Sequence, residues 1–313
     1  MAKTPVTLVT GFLGSGKTTL ISALLRHPRM GETAVIVNEL GEVAIDHHLI
    51  RRVDERTVLL KSGCVCCSLR GDLADELRDL LSRRERGEIP PFRRVVVETT
   101  GLADPAPIVF TLLSEPVVKH HYELEGLVAT VDAVHGLRGA ESLKQAAVAD
   151  TLVVTKVDVA DPAPVEERLR RLNPAARIVE AAYGEVEPER ILGRDERDPR
   201  DLRLDEREHA HGDEIRALAL FLDEEIDWIA FGIWLTMLLQ ARGEDILRVK
   251  GLLNVGDGGP VLLNAVQHVV HPPVHLDSWP DDDRGSRLVF IGRSLEREAL
   301  EASLRAFNRA ARA

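Results

Sequence analysis

Residues 6–19 decide the fold class: Val6-Thr-Leu-Val-Thr10, then Gly11-Phe12-Leu13-Gly14-Ser15-Gly16-Lys17-Thr18-Thr19. An apolar, β-branched run enters a glycine-rich loop, and a helical pattern follows from about Thr18 to Arg26. Gly11-x4-Gly16-Lys17-Thr18 fits the phosphate-binding loop pattern. Its glycines let backbone N–H groups wrap phosphates, and the following helix adds its positive dipole end. Lys17 is expected to reach the β- and γ-phosphates, and the Thr18 hydroxyl to ligate Mg2+.

Outward from this loop, short Val/Leu/Ile runs alternate with helical stretches. Ala34–Val37, Val58–Leu60, Val95–Thr99, Leu127–Val131 and Leu152–Thr155 read as buried parallel strands. Leu69–Leu81 and Pro164–Leu172 read as helices between them. The alternation predicts a doubly wound, mostly parallel α/β sheet over residues 1–193. Residues 194–211 are charged and weakly periodic, and read as a linker. From 212 to 313 a smaller α+β domain is expected. Its strands fall at Ile215–Leu222 and near Ile246–Leu253, Val261–Val266 and Arg287–Ile291. Its helices fall at Asp227–Gln240 and Leu295–Ala311.

Two later segments extend the phosphate site. Val95-Val-Val-Glu98 is an apolar strand ending in a carboxylate, and Gly101 follows three residues on. In phosphate-loop proteins this position holds Mg2+ and senses the γ-phosphate, so Glu98 and Gly101 are candidates. Thr155-Lys156-Val157-Asp158 resembles the guanine-reading Asn-Lys-x-Asp segment of GTPases. Asp158 would accept from guanine N1 and its exocyclic amine, and Lys156 would lay its stem over the base. Thr155 replaces the usual Asn.

The chain's three cysteines, Cys64, Cys66 and Cys67, fall within four residues. A bridge between the adjacent pair would be strained, and thiolates select Zn2+, Cu(I) and similar ions. Metal binding is the favoured reading, with a redox role as the alternative. A closed structural zinc site normally has four protein ligands, so the fourth position here falls to an exchangeable group, a carboxylate or a His. Glu39, Glu42, His47 and His48 lie between the loop and the cysteines. His209, His211, His268, His271 and His275 are read as surface or loop residues.

The 313-residue chain has a formal charge of −11 and 44% apolar residues, which argues against a general nucleic-acid binder. Met1–Thr10 has no secretory apolar core, and Trp228–Leu239 falls short of the ~20 residues that span a bilayer. A cytoplasmic, non-membrane protein with reduced thiols is expected.

These motifs together resemble the CobW/YjiA family of metal-linked P-loop GTPases, most of all its YjiA-like branch. The likeness runs through Asn38-Glu-Leu-Gly-Glu42, Gly63-Cys-Val-Cys-Cys67, Glu98-Thr-Thr-Gly-Leu-Ala-Asp-Pro105, Val131-Asp-Ala133 and Thr155-Lys-Val-Asp158. In the second half it includes Arg248-Val-Lys-Gly251, Trp279-Pro280 and Leu288-Val-Phe-Ile-Gly292. The resemblance implies a SIMIBI-like nucleotide domain, a CobW-type C-terminal domain, and GTP hydrolysis tied to Zn2+ or Co2+. It places Asn38, Glu39, Gly41 and Glu42 in a switch between nucleotide and metal. Val37 stands where a relative carries Glu, so one accessory metal site is expected to be lost or changed. The expectation is a slow GTPase metallochaperone using GTP, Mg2+ and Zn2+. Its thiolate site is completed by Glu42, and a client apo-metalloprotein docks on the C-terminal domain. Self-association stays open. Two alternatives are a metal or redox sensor without delivery, and a P-loop ATPase with a structural zinc.

Overall fold

The computed structural model describes residues 2–37, 58–61, 69–193, 215–256, 259–280 and 282–312. They form two compact units, Met1–Leu169 with Ala176–Asp195, and Arg170–Ala175 with Glu196–Ala313. The charged connection expected at 194–211 lies outside the described residues.

The first unit holds strands β1 (Thr4–Gly11), β2 (Thr33–Val37), β3 (Val58–Lys61), β4 (Arg94–Glu98), β5 (Tyr122–Asp132), β6 (Thr151–Thr155) and β7 (Arg177–Ala181). They make one seven-stranded sheet in the order β3-β2-β4-β1-β5-β6-β7, and every pairing is parallel. Helices α1 (Lys17–Leu25), α2 (Leu69–Glu85), α3 (Ala106–Ser114), α4 (Pro116–His121), α5 (Gly139–Val148) and α6 (Ala163–Leu172) lie along the same stretch of chain. Parallel strands need crossovers, and strands covered on both faces read as unbroken Val/Leu/Ile runs.

Alternate strand positions share a face. Val9, Val35, Val96, Val128, Val153 and Val179, one from each of six strands, form a core with Leu20, Ile21, Leu24 and Leu25 of α1. The helix that follows the phosphate loop is therefore anchored across the sheet. Fully burying one such side chain stabilises by about 1.5–3 kcal/mol.

Among its described residues the second unit is an antiparallel sheet with two helices. Strands β8 (Arg216–Leu222), β9 (Ile246–Asn254), β10 (Pro260–Val266), β11 (Val269–Val270) and β13 (Ser286–Gly292) run in the order β11-β10-β9-β13-β8, and β12 (Val274–His275) pairs with β10. Helices α7 (Trp228–Arg242) and α8 (Arg297–Ala311) share a core with its strands, through Phe231, Trp234, Leu235, Leu300 and Leu304. Trp234 Nε1 donates to Ser303 Oγ at 3.0 Å, which ties the two helices.

Several predicted ends shift for local reasons. Arg26 is the C-cap of α1, its N–H turning back to Ala23 O. Asp227 stands outside α7 as its N-cap, where its carboxylate accepts from Ala230 N at 2.8 Å. Leu295 is buried in the core ahead of α8, whose N-cap is Glu296. Strand β7 and helices α3, α4 and α5 were not anticipated from the sequence.

Candidate functional site

Strand order places the candidate residues. The strands run parallel, so the C-terminal ends of β1, β4, β5, β6 and β7 share one edge. Gly11 ends β1, Glu98 ends β4, Asp132 ends β5 and Thr155 ends β6. β1 lies between β4 and β5, so connections diverge there, the usual place for a ligand crevice in such sheets.

The loop from Gly11 to Gly16 is held from beneath. Gly11 has φ 142°, and a Cβ there would lie 2.2 Å from Thr130 Oγ1 and 2.6 Å from Thr130 O. Gly14 and Gly16 have φ 73° and 91°, so both adopt the left-handed conformation glycine tolerates. Ser15 Oγ lies 2.6 Å from Thr130 Oγ1, and Thr155 Oγ1 donates to Ser15 O at 2.7 Å. The Thr155 hydroxyl thus ties the end of β6 to the loop, a task any short side-chain donor can perform in place of Asn. Lys17 Nζ donates to Gly11 O at 2.8 Å and Phe12 O at 3.1 Å.

Glu98 comes to the start of α1. Thr18 Oγ1 donates to Glu98 Oε1 at 2.8 Å, and Glu98 is buried. A hydroxyl and a carboxylate side by side are the hard oxygen donors that suit Mg2+. The chain after Glu98 stays close to the loop. Thr99 N donates to Val9 O at 3.0 Å, and a Cβ on Gly101 would lie 2.6 Å from Leu13 N. Buried Gln145 grips this segment, donating from Nε2 to Gly101 O and Ala103 O at 3.1 and 3.0 Å.

The Thr155–Asp158 segment lies beside two further elements. Lys156 has φ 59°, and its Nζ lies 3.2 Å from Asp132 Oδ2. Asp132 Oδ1 also accepts from His135 N at 2.6 Å. Burial alone would raise the Asp132 carboxyl, but the His135 amide and ring and the Lys156 ammonium outweigh it and hold it below the usual carboxylate range. Asp158 Oδ1 accepts from Tyr183 N at 3.2 Å. Tyr183 and Gly184 make a turn after β7 with φ 54° and 79°, and a Cβ on Gly184 would lie 2.8 Å from Thr19 O. That turn brings β7 to the start of α1. A cleft of about 150 Å3 opens between Phe12–Ser15 of the loop and Asp132, His135 and Lys156.

The structure therefore brings Gly11–Thr19, Glu98, Gly101, Thr155, Lys156 and Asp158 to one edge of the sheet. Thr130, His135, Gln145 and Tyr183 carry no predicted role, and Asp132 enters the sequence reading only within Val131-Asp-Ala133. Thr130, Asp132, His135 and Tyr183 sit within three residues of a strand end at this edge, the signal available for them. Asn38, Glu39, Gly41, Glu42, Cys64, Cys66 and Cys67 lie outside the described residues, as do His47, His48, His209 and His211. Among the described residues no group of three or more His, Cys, Asp or Glu is placed to hold a metal ion, and no helix is long and apolar enough to cross a membrane. Val37 is buried at the end of β2, in register with Glu98.

The profile described as "CobW/HypB/UreG, nucleotide-binding domain" matches residues 5–180, and that of the "Cobalamin synthesis protein cobW C-terminal domain" matches 215–308. The zinc chaperone YjiA of Escherichia coli is 35% identical over 95% of this chain and 96% of its own. The zinc chaperone CobW of Pseudomonas aeruginosa is 30% identical over 97% of this chain and 92% of its own. The crystal structure of Zn(II)-bound YjiA GTPase from E. coli superposes with a TM-score of 0.75 at 29% identity, over 98% of this chain and 99% of that one. With its phosphate loop, its parallel sheet and both matched domains, the chain belongs to the CobW/HypB/UreG family of nucleotide-binding proteins, in the form that carries the CobW C-terminal domain.

Proposed function

We propose that this protein is a GTP-hydrolysing metallochaperone that carries Zn2+, or Co2+, on Cys64, Cys66 and Cys67 and releases it to a client under nucleotide control. Its cargo is the metal, and its cofactor in hydrolysis is Mg2+. The observation that carries the nucleotide half is the 2.8 Å contact between Thr18 Oγ1 and Glu98 Oε1 at the mouth of the loop. The metal half is supported by the cysteine cluster and by the names of relatives, among them the zinc chaperones YjiA and CobW.

In this reading the backbone of Gly11–Gly16 cradles the phosphates and Lys17 neutralises the β,γ pair. Thr18 and Glu98 hold Mg2+, which, when bound, neutralises the charge that develops on the phosphate oxygens. Gly101, pressed against Leu13, offers its N–H to the γ-phosphate. Asp158 reads the guanine edge and Lys156 covers its face. The Asn38–Glu42 segment answers to the γ-phosphate and closes the cysteine site with Glu42. Hydrolysis relaxes it, the order–disorder change GTPases commonly use. Binding coupling is reciprocal, so metal tightens GTP by the factor with which GTP tightens metal.

Slow intrinsic turnover is expected, because no glutamine follows closely on Gly101 to orient a water and no arginine finger stands out in the sequence. Gln145 reaches this segment, but it is buried, and its amide nitrogen grips the carbonyls of Gly101 and Ala103. The remaining rate is left to metal loading or to a client on the C-terminal domain. Phosphate release from GTP and ATP, with and without Zn2+, tests this. A clear preference for GTP and a rate raised by metal or client are expected. Equal use of ATP, or fast metal-free turnover, refutes it.

A further inference from the structure

Asp132 is the last residue of β5 and pairs in register with Thr155, the last of β6. Its side chain is 8% exposed, yet three donors from two loops converge on it. His135 N lies 2.6 Å away, His135 Nδ1 3.1 Å and Lys156 Nζ 3.2 Å. The backbone around it is also pinned, by Ala133 N donating to Thr155 O at 2.9 Å and Gly136 N to Asp132 O at 2.8 Å. Lys156 is the opposite kind of residue. Its side chain is 36% exposed and long, and its backbone sits in the left-handed region at φ 59°. Strained residues of this kind persist where surrounding contacts over-determine them. The Lys156 stem ends with its ammonium on the buried Asp132 carboxylate.

We propose that Asp132 is a positioning residue for nucleotide recognition: with His135 fixing its carboxylate, it holds the Lys156 ammonium so that the Lys156 stem forms a shelf for one face of the guanine base. The inference rests on the reading of Thr155–Asp158 as the base-reading segment. Asp132 need not touch the nucleotide. It removes in advance the freedom Lys156 would lose on binding, so its effect falls on affinity rather than on the chemical step.

A double-mutant cycle tests this with the full-length protein, fluorescent GDP and ADP analogues, and Mg2+. Asp132→Asn keeps the shape and the acceptor for His135 N but removes the charge; Lys156→Met removes the ammonium and keeps an apolar stem. Each alone should weaken GDP about tenfold, the scale of one charge-assisted hydrogen bond. The double variant should be no weaker than Lys156→Met within about twofold, since Asp132 acts through Lys156. KM for GTP should carry the loss, with kcat for phosphate release changed far less. If the two losses multiply to about a hundredfold, or if Asp132→Asn binds GDP like the wild type, the proposal is overturned while the base reading stands. If the wild type binds ADP as tightly as GDP, the base reading fails and takes the proposal with it. Should Asp132→Asn not fold, His135→Ala loosens the same carboxylate without removing its charge. It must then weaken GDP severalfold in the wild-type background and not in Lys156→Met; equal effects in both overturn the proposal.

Discussion

Replacing Thr155 with valine removes one hydrogen bond and almost no volume. Thr155 is 3% exposed, and its Oγ1 donates to Ser15 O at 2.7 Å, linking the end of β6 to the phosphate loop. Valine matches threonine in shape and is favoured in strands, so packing and propensity are nearly conserved. What changes is a buried carbonyl that loses a donor. A net hydrogen bond contributes about 0.5–1.5 kcal/mol, and leaving its partner buried without a donor costs about 1–3 kcal/mol. Thr155→Val is therefore expected to lower the unfolding free energy by about 1–2 kcal/mol. A Cβ placed on Gly16 would come within 3.4 Å of Thr155, so the loop has little room to move toward the sheet and must shift outward instead. That displacement carries the phosphate-facing amides, and nucleotide affinity should fall by about tenfold for each 1.4 kcal/mol. Urea unfolding, read as a lowered midpoint at constant slope, measures the first effect. Titration with a fluorescent GDP analogue measures the second. Thr155→Ser keeps the hydroxyl and should retain most of the affinity. Unchanged midpoint and affinity in Thr155→Val would refute the idea that this hydroxyl does the work of the missing Asn.

Gly11→Ala puts a methyl 2.2 Å from Thr130 Oγ1 and 2.6 Å from its carbonyl at φ 142°, so a cost of about 2–4 kcal/mol and loss of nucleotide binding are expected; wild-type thermal stability would contradict it. The folded Asp132 carboxyl sits below its unfolded value of about 3.9, so its contribution is full above about pH 5 and fades as pH falls through the folded value. The stability gap between wild type and Asp132→Asn should shrink on acidification, and a gap that widens below pH 4 would reverse the sign. Burial pushes the Tyr122 hydroxyl well above its ordinary value, and it donates to Leu77 O at 2.9 Å. Ultraviolet titration should show this phenol ionising only as the protein unfolds in alkali, and Tyr122→Phe should lose about 1 kcal/mol.

The fold was legible where burial made the sequence uniform. Val95–Val97 and Leu152–Val154 are covered on both faces, so nothing interrupts the apolar run. Strand β7, Arg-Ile-Val-Glu-Ala, carries no unbroken apolar signal because it closes the sheet at its edge, with Glu180 exposed and Arg177 half-buried. Helix α5 carries none either, because its buried residues, Gln145 to Val148 with Ser142, are small or polar. The site divides in the same way. The phosphate loop is a local pattern, dictated by backbone geometry within eight residues. The links around it are not local. Asp132 meets Lys156 across 24 residues, Asp158 meets Tyr183 across 25, and Gln145 reaches Gly101 across 44. Each depends on which strands become neighbours, and strand order is decided by the whole sheet rather than by any one motif.

The central claim is that nucleotide state sets the grip on the metal. An anaerobic Zn2+ and Co2+ titration of reduced protein with Mg2+ tests it most directly, comparing GDP, a non-hydrolysable GTP analogue and the Cys66→Ala variant. The account predicts that the analogue tightens metal binding about tenfold, equal to about 1.4 kcal/mol of coupling, and that Cys66→Ala folds but loses the tight metal. Equal metal affinity in both nucleotide states would contradict it and leave the cysteines as structural or redox groups.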